Sequence, residues 1–232
     1  MNSSAEIAAL RIVVGGADGP MGRLSCAAIK GCSDLSLVGR LTRLDDPARF
    51  FASAAADIYL DFTVAAAART LAPRAARAGL CPVVGTSGLL PDDLAELRSA
   101  CREGQVSGLL VPNFSVGAVL QMRAAEQAAQ HMRCAGIAEV HHKDKRDSPS
   151  GTARATALRV AQASGGELPA IDSERRDGFL AAQSVTFEGP HERLTLHHVV
   201  ESREAYVPGL LLALRRVRSC QGLVVGLESL LD

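Results

Sequence analysis

Residues 139–153 read E-V-H-H-K-D-K-R-D-S-P-S-G-T-A. Two adjacent histidines, His141 and His142, precede Lys143, Lys145 and Arg146, and a Ser-Pro-Ser-Gly-Thr turn follows. Imidazole titrates near neutral pH and suits general acid work. Lys145 supplies a positive charge. Ser150-Gly151-Thr152 offers hydroxyls and backbone N–H groups at the start of a helix, donors that suit a carboxylate. The neighbouring charges pull on a histidine in opposite directions. Lys143, Lys145 and Arg146 lower its pKa, and Glu139, Asp144 and Asp147 raise it. Two readings stand at this point: a solvated, charge-rich loop, or a built site for an anionic substrate.

A second stretch with chemistry is G-A-D-G-P-M-G-R, residues 16–23. Its glycines at 16, 19 and 22 follow the short apolar run L-R-I-V-V-G, residues 10–15, and precede a helical stretch. A glycine turn between strand and helix lets backbone N–H groups approach a pyrophosphate at the helix N-terminus. The spacing G-x-x-G-x-x-G differs from the common dinucleotide fingerprint, and the flanking elements strengthen it. The next apolar run, 35–41, ends in G-R-L-T-R with no acid before Asp45. Arg40 and Arg43 stand where a ribose-binding acid usually sits. A guanidinium suits a 2′-phosphate, so NADPH is the expected cofactor, with NADH possible.

The elements that must position these residues follow from periodicity. Strands are predicted at 10–15, 35–41, 57–63, 81–86 and 106–112, alternating with helices, one closed by Gly79 and one over 91–102. This alternation predicts a parallel sheet covered on both faces. After 117 an alanine-rich helix is predicted to run to about Cys134, with Gly136 breaking it before the strand that carries the histidines. Ser150 is read as the cap of a helix. Residues 165–178 read as a polar loop, two strands of a second sheet follow, and a last helix covers about 208–218.

Composition bounds the function. The chain has 232 residues, 47% hydrophobic and 22% charged, with 25 basic and 25 acidic residues. This is a globular composition with no electrostatic footprint for nucleic acid or an anionic membrane. No apolar run is long enough to span a bilayer, and the first residues do not read as a signal peptide, so a cytoplasmic location is expected. The six cysteines are scattered without a C-x-x-C pair, so neither a metal site nor a disulfide framework is expected.

Several segments together resemble dihydrodipicolinate reductases, the reductases of bacterial and plant lysine biosynthesis. They are G-A-D-G-P-M-G-R, D-F-T at 61–63, G-T-S-G at 85–88, N-F-S-V-G at 113–117 and S-R-E-A-Y-V-P-G at 202–209. Most specific is 139–153, which meets every fixed position of a signature close to E-x-H-H-x-x-K-x-D-x-P-S-G-T-A. The resemblance implies that His142, Lys145, Ser150, Gly151 and Thr152 hold a small dicarboxylate substrate, with Arg203 assisting. It implies that His141 or Lys145 delivers a proton after hydride arrives. On the nucleotide side it implies contacts from Gly16, Ala17, Gly19, Pro20 and Met21, with Gly85, Thr86, Ser87, Asn113 and Phe114 near the nicotinamide.

The chain departs from the family pattern in three places. The family usually has Lys or Arg at Pro20. The connection after the motif helix shrinks to roughly P-A-I-D-S-E-R. The stretch R-D-G-F-L-A-A-Q-S, 176–184, lacks a glycine and a histidine of the family pattern. The expected architecture is α/β: a Rossmann-like dinucleotide-binding domain over 1–115, rejoined by 203–232, and a smaller α+β domain with a mixed sheet over 116–202. The expected activity is reduction of 4-hydroxy-tetrahydrodipicolinate or dihydrodipicolinate by a homo-oligomer, tetramer or dimer. The alternatives are a diverged reductase of another cyclic imine acid and a nucleotide-binding paralogue without turnover.

Overall fold

The computed structural model describes residues 8–145 and 147–231. The chain forms two compact units, one from 1–114 with 207–232 and one from 115–206. In the first, β1 (Leu10–Gly15), α1 (Pro20–Lys30), β2 (Leu35–Leu41), α2 (Pro47–Ser53), β3 (Ile58–Asp61), α3 (Ala65–Arg77), β4 (Cys81–Val84), α4 (Pro91–Glu103) and β5 (Gly108–Leu110) alternate. The second unit holds α5 (Val116–Ala129), β6 (Arg133–His141), α6 (Gly151–Ser164), β7 (Ile171–Arg175), β8 (Ala181–Gly189) and β9 (Glu192–Val200). Then α7 (Val207–Arg216) and β10 (Leu223–Val225) complete the first unit.

The first unit is a Rossmann-like layer structure. Its six strands run in the order β10-β5-β4-β3-β1-β2, every pairing parallel. Central strands of such a sheet are covered on both faces, and their runs are accordingly apolar throughout. Ile12, Val14, Ile58, Tyr59, Leu60, Val83, Val84 and Leu109 have no exposed surface. Small residues let the helices pack closely: Ala68, Ala72 and Ala76 of α3 join Leu97, Ala100 and Cys101 of α4 in one cluster. Strand order reverses between β1 and β3, which opens a crevice at the carboxyl ends of these strands.

The second unit is a mixed sheet, β7-β6-β8-β9, in which β6 and β7 are parallel and the other pairs antiparallel. Ala125 and Ala129 of α5, Ala153, Ala157 and Val160 of α6, and Ile137, Val185 and Phe187 of the sheet share one core.

Four features differ from the sequence expectations. Helix α5 ends at Ala129, and Gly136 lies inside β6 at an irregular register rather than breaking a helix. Pairing with β8 decides this, because it extends the strand back to Arg133. Strand β7 lies within the stretch read as a polar loop. Its alternation is real, since Ile171, Ser173 and Arg175 are the less exposed set, but two of those three are polar. Helix α2 and strand β10 were not anticipated. The former starts on an Asp46 cap followed by Pro47, and the latter is three residues held by β5. Among the described residues no helix is long and apolar enough to cross a membrane.

Candidate active site

In the second unit, β6 delivers His141 at its carboxyl end and α6 begins ten residues later at Gly151. Side chains two apart on a strand share a face, so Glu139 lies on the same side as His141. The Glu139 side chain has no exposed surface, and that of His141 is 12% exposed. Glu139 Oε1 accepts from the Ser150 backbone N–H at 2.8 Å and from Ser173 Oγ at 2.9 Å. Its Oε2 lies 3.5 Å from His141 Nδ1. Ser150 caps α6, its Oγ accepting from Ala153 N at 3.1 Å. A Cβ on Gly151 would meet nothing within 4 Å, so the mouth of this helix is open.

The loop between the motif's halves is tied down by ion pairs. Lys145 Nζ donates to Asp147 Oδ1 at 2.7 Å, and Lys143 pairs with Asp177. Arg175 of β7 donates to the carbonyls of Lys145, at 3.3 Å, and Asp147, and lies 3.7 Å from Glu139 Oε1. The electrostatics follow from this packing. Burial holds the His141 imidazole below its ordinary pKa; Glu139 and Asp147 pull it up, and Lys145 and Arg175 push it further down. The sequence alone could not rank these influences, because burial was not visible in it. Arg146 lies outside the described residues. Burial pushes the Glu139 carboxyl up, but hydrogen bonds from Ser150 and Ser173 and the charge of His141 outweigh it, and the net direction is down.

In the first unit, the loop after β1 is shaped by glycine. Gly16 has φ +71°, and a Cβ there would come 2.4 Å from the Phe62 carbonyl oxygen. A Cβ on Gly22 would come 2.1 Å from the Gly16 carbonyl oxygen. Gly19 is the N-cap of α1 with no side-chain cap, and Pro20 takes the first helical position. The first N–H groups of α1 therefore face a cradle that side chains would fill, which fits a dinucleotide pyrophosphate. Arg40, at the carboxyl end of β2, reaches this loop: Nη2 is 3.5 Å from Ala17 O and 3.9 Å from Asp18 Oδ1.

At the neighbouring strand ends, buried Asp61 organises two other segments. Its Oδ1 accepts from Thr63 N (2.8 Å), Thr63 Oγ1 (2.7 Å) and Thr86 Oγ1 (3.0 Å), and its Oδ2 accepts from Tyr59 OH (2.9 Å). The Phe62 and Phe114 rings meet at a tilt, centroids 5.5 Å apart, and a Cβ on Gly85 would lie 2.3 Å from Phe62 and 2.7 Å from Phe114.

Comparison with known proteins agrees with both halves. The family model for dihydrodipicolinate reductase, N-terminus, matches residues 10–114, and that for dihydrodipicolinate reductase, C-terminus, matches 117–231. The chain belongs to the dihydrodipicolinate reductase family. It is an oxidoreductase of that family. A 4-hydroxy-tetrahydrodipicolinate reductase of Moorella thermoacetica is 39% identical over 97% of this chain and 99% of its own. One from Coxiella burnetii is 36% identical over 96% and 100%, in an alignment of 238 residues, so that relative shares the compact length seen here. The solved dipicolinate-bound dihydrodipicolinate reductase of Paenisporosarcina sp. TG-14 superposes with a TM-score of 0.86 at 24% identity, covering 95% of this chain and 99% of that one. An amine dehydrogenase of Mycobacterium smegmatis, TM-score 0.68 at 13% identity, shares the fold over 93% of this chain and 94% of its own.

Set against the residues that the dihydrodipicolinate reductase resemblance implied, the second unit gathers His141, Lys145 and Ser150 around Glu139, Asp147 and Arg175, with His142, Gly151 and Thr152 adjacent in the chain. Arg203 sits in the exposed single turn Arg203–Tyr206, outside that cluster. In the first unit Gly16, Ala17, Gly19 and Arg40 converge, with Pro20 and Met21 opening α1. Arg43 and Ser87 are exposed. Gly85 and Phe114 meet at the Phe62 ring, and Thr86 is turned inward onto Asp61 and the Thr63 carbonyl. Sequence reasoning missed four residues: Glu139 as the anchor of His141, Ser173, Arg175, and Asp61. The signal for Glu139 was its two-residue spacing from His141 on a strand. Outside the motif, His197 bonds Ser184, and half-buried His198 meets the α5 cap, Nε2 to Ser115 Oγ at 3.2 Å.

Proposed function

We propose that the chain reduces 4-hydroxy-tetrahydrodipicolinate, by way of dihydrodipicolinate, to tetrahydrodipicolinate, on the diaminopimelate route to lysine, with NADPH preferred over NADH. Substrate, NADPH and a proton go to tetrahydrodipicolinate, NADP⁺ and water. The bound dinucleotide supplies the hydride. The loop of Gly16, Ala17, Gly19, Pro20 and Met21, with the N–H groups of α1, holds its pyrophosphate, and Arg40 takes the 2′-phosphate. Gly85, Thr86, Ser87, Asn113 and Phe114 bind its nicotinamide end.

In the second unit, His142, Lys145, Ser150, Gly151 and Thr152 hold the substrate carboxylates through charge and the N-terminal N–H groups of α6. Arg203 assists as an exposed cation. His141 delivers the proton to the reduced ring, and Lys145, already anchored on Asp147, binds. The observation that carries this reading is the junction at Glu139. One buried carboxylate there draws an imidazole and the opening of a helix together beside a fixed ammonium. A cytoplasmic location and assembly as a homo-oligomer, tetramer or dimer, belong to the same reading, and light scattering on the purified chain tests the assembly.

The decisive experiment generates the substrate in situ from pyruvate and aspartate semialdehyde with its synthase and follows NADPH and NADH oxidation separately. Rapid oxidation that depends on His141 supports the reading. Cofactor binding without oxidation defeats the substrate assignment.

A further inference from the structure

Glu139 is among the largest side chains without exposed surface, yet the proposed reaction gives it no contact with substrate or cofactor. Its two oxygens are treated differently. Oε1 is saturated by Ser150 N and Ser173 Oγ, with the Arg175 guanidinium 3.7 Å away. Among the described residues Oε2 is buried without a hydrogen-bond partner, and so is His141 Nδ1. These two orphans lie 3.5 Å from one another, a donor-capable nitrogen facing an acceptor-only oxygen. A contraction of a few tenths of an ångström closes the bond between them.

A carboxylate accepts and does not donate, so it admits one arrangement of the neutral ring. Nδ1 carries the proton toward Glu139, and Nε2 presents its lone pair on the far side. When the ring is cationic, Nε2 carries the second, transferable proton. We propose that Glu139 is a positioning residue of the reaction, which fixes His141 with Nδ1 protonated so that Nε2 carries and releases the catalytic proton. Through Oε1 the same carboxylate holds the first turn of α6, so the acid and the substrate-binding helix mouth are set by one buried group. The charged groups acting on His141 are Glu139 from β6, Arg175 from β7, and Lys145 and Asp147 from the loop between β6 and α6. This inference rests on the reading of His141 as the acid.

The test compares the unsubstituted protein with Glu139→Gln, Glu139→Asp and His141→Gln, each full-length. Glu139→Gln keeps an oxygen for Ser150 and Ser173, so folding should be retained, and circular dichroism and the unfolding midpoint verify it. Its amide removes the negative charge that favours the imidazolium. The limb of the kcat profile that falls as His141 loses its proton should move to lower pH. At neutral pH kcat should fall by roughly 10²-fold, the scale of a lost acid, with little change in KM. Glu139→Asp should retain more of the profile. The ¹⁵N shifts of His141 in the unsubstituted protein read the tautomer without any substitution, and neutral His141 should carry its proton on Nδ1. A proton on Nε2, or a Glu139→Gln profile that superimposes on the parent while His141→Gln is inactive, overturns the inference alone. Full turnover in His141→Gln overturns the acid assignment and the inference with it.

Discussion

In the proposed reading cofactor choice turns on Arg40, and its removal should separate two nucleotides that differ by one phosphate. Among the described residues its guanidinium makes long contacts, 3.5 Å to Ala17 O and 3.9 Å to Asp18 Oδ1, and the side chain is 49% exposed. Pairs of that kind contribute about 0–1 kcal/mol, so Arg40→Ala should leave the unfolding midpoint nearly unchanged. A 2′-phosphate seated on the same guanidinium gains charge-assisted hydrogen bonds worth about 1.5–3 kcal/mol. At about 1.4 kcal/mol per decade, NADPH affinity should fall roughly 10- to 100-fold, and NADH affinity should barely move. Fluorescence titration with each nucleotide at low salt gives both constants, and a salt series should flatten for NADPH in the variant. Asp18 adds an internal control. Its carboxylate borders the same site, so Asp18→Asn should tighten NADPH modestly and leave NADH alone. If Arg40→Ala weakens both nucleotides equally, or neither, the strand-end argument is wrong and the phosphate is read elsewhere.

Further outcomes follow from particular contacts. Gly22→Ala places a Cβ 2.1 Å from Gly16 O and 2.6 Å from Ala17 Cα, both backbone, so the loop must shift; overpacking of this kind costs about 1–3 kcal/mol, and nucleotide titration should show a loss that denaturation alone does not explain. Asp61→Ala strips the acceptor from Thr63, Thr86 and Tyr59 at once, and urea denaturation should register a loss of about 3 kcal/mol or more; a change below about 1 kcal/mol would contradict the network. Burial lowers the pKa of both His141 and His198 in the folded chain. The unfolded chain then binds more protons, and stability should decline as pH drops through about 6.5, where free histidine titrates. His198→Gln should make that decline shallower. Glu139, lowered in the folded state, adds stability that persists above about 4.3 and is lost under more acid conditions.

Much of the first unit could be read from the sequence because local signals and tertiary demands coincide there. A β-branched run ends in glycine, glycines lie where a Cβ would strike backbone, and Pro20 opens a helix; each says the same thing as the parallel sheet. Where the two part, the reading failed. Strand β10 is three residues that no periodicity announces, and it exists because β5 offers a parallel edge. The extension of β6 back to Arg133 likewise depends on β8, a partner some fifty positions away in the chain.

The candidate site divides along the same line, and the division has a physical cause. The residues proposed to face a ligand are crowded into contiguous motifs, because a turn between strand and helix presents successive residues to one place. His141, Lys145 and Ser150 were legible for that reason. Residues that hold those groups in place come from across the sheet, and their types look wrong for their positions. Ser173 and Arg175 occupy the inner face of a strand, where apolar side chains are expected, and so the segment read as a loop. They are polar because what they face is Glu139, a carboxylate with no exposed surface that needs donors on its far side. Arg175 also clasps the backbone of Lys145 and Asp147, so β7 fixes the loop that carries the ammonium. The polar strand is thus matched to the buried acid, and in the proposed mechanism the buried acid is there to hold one imidazole one way.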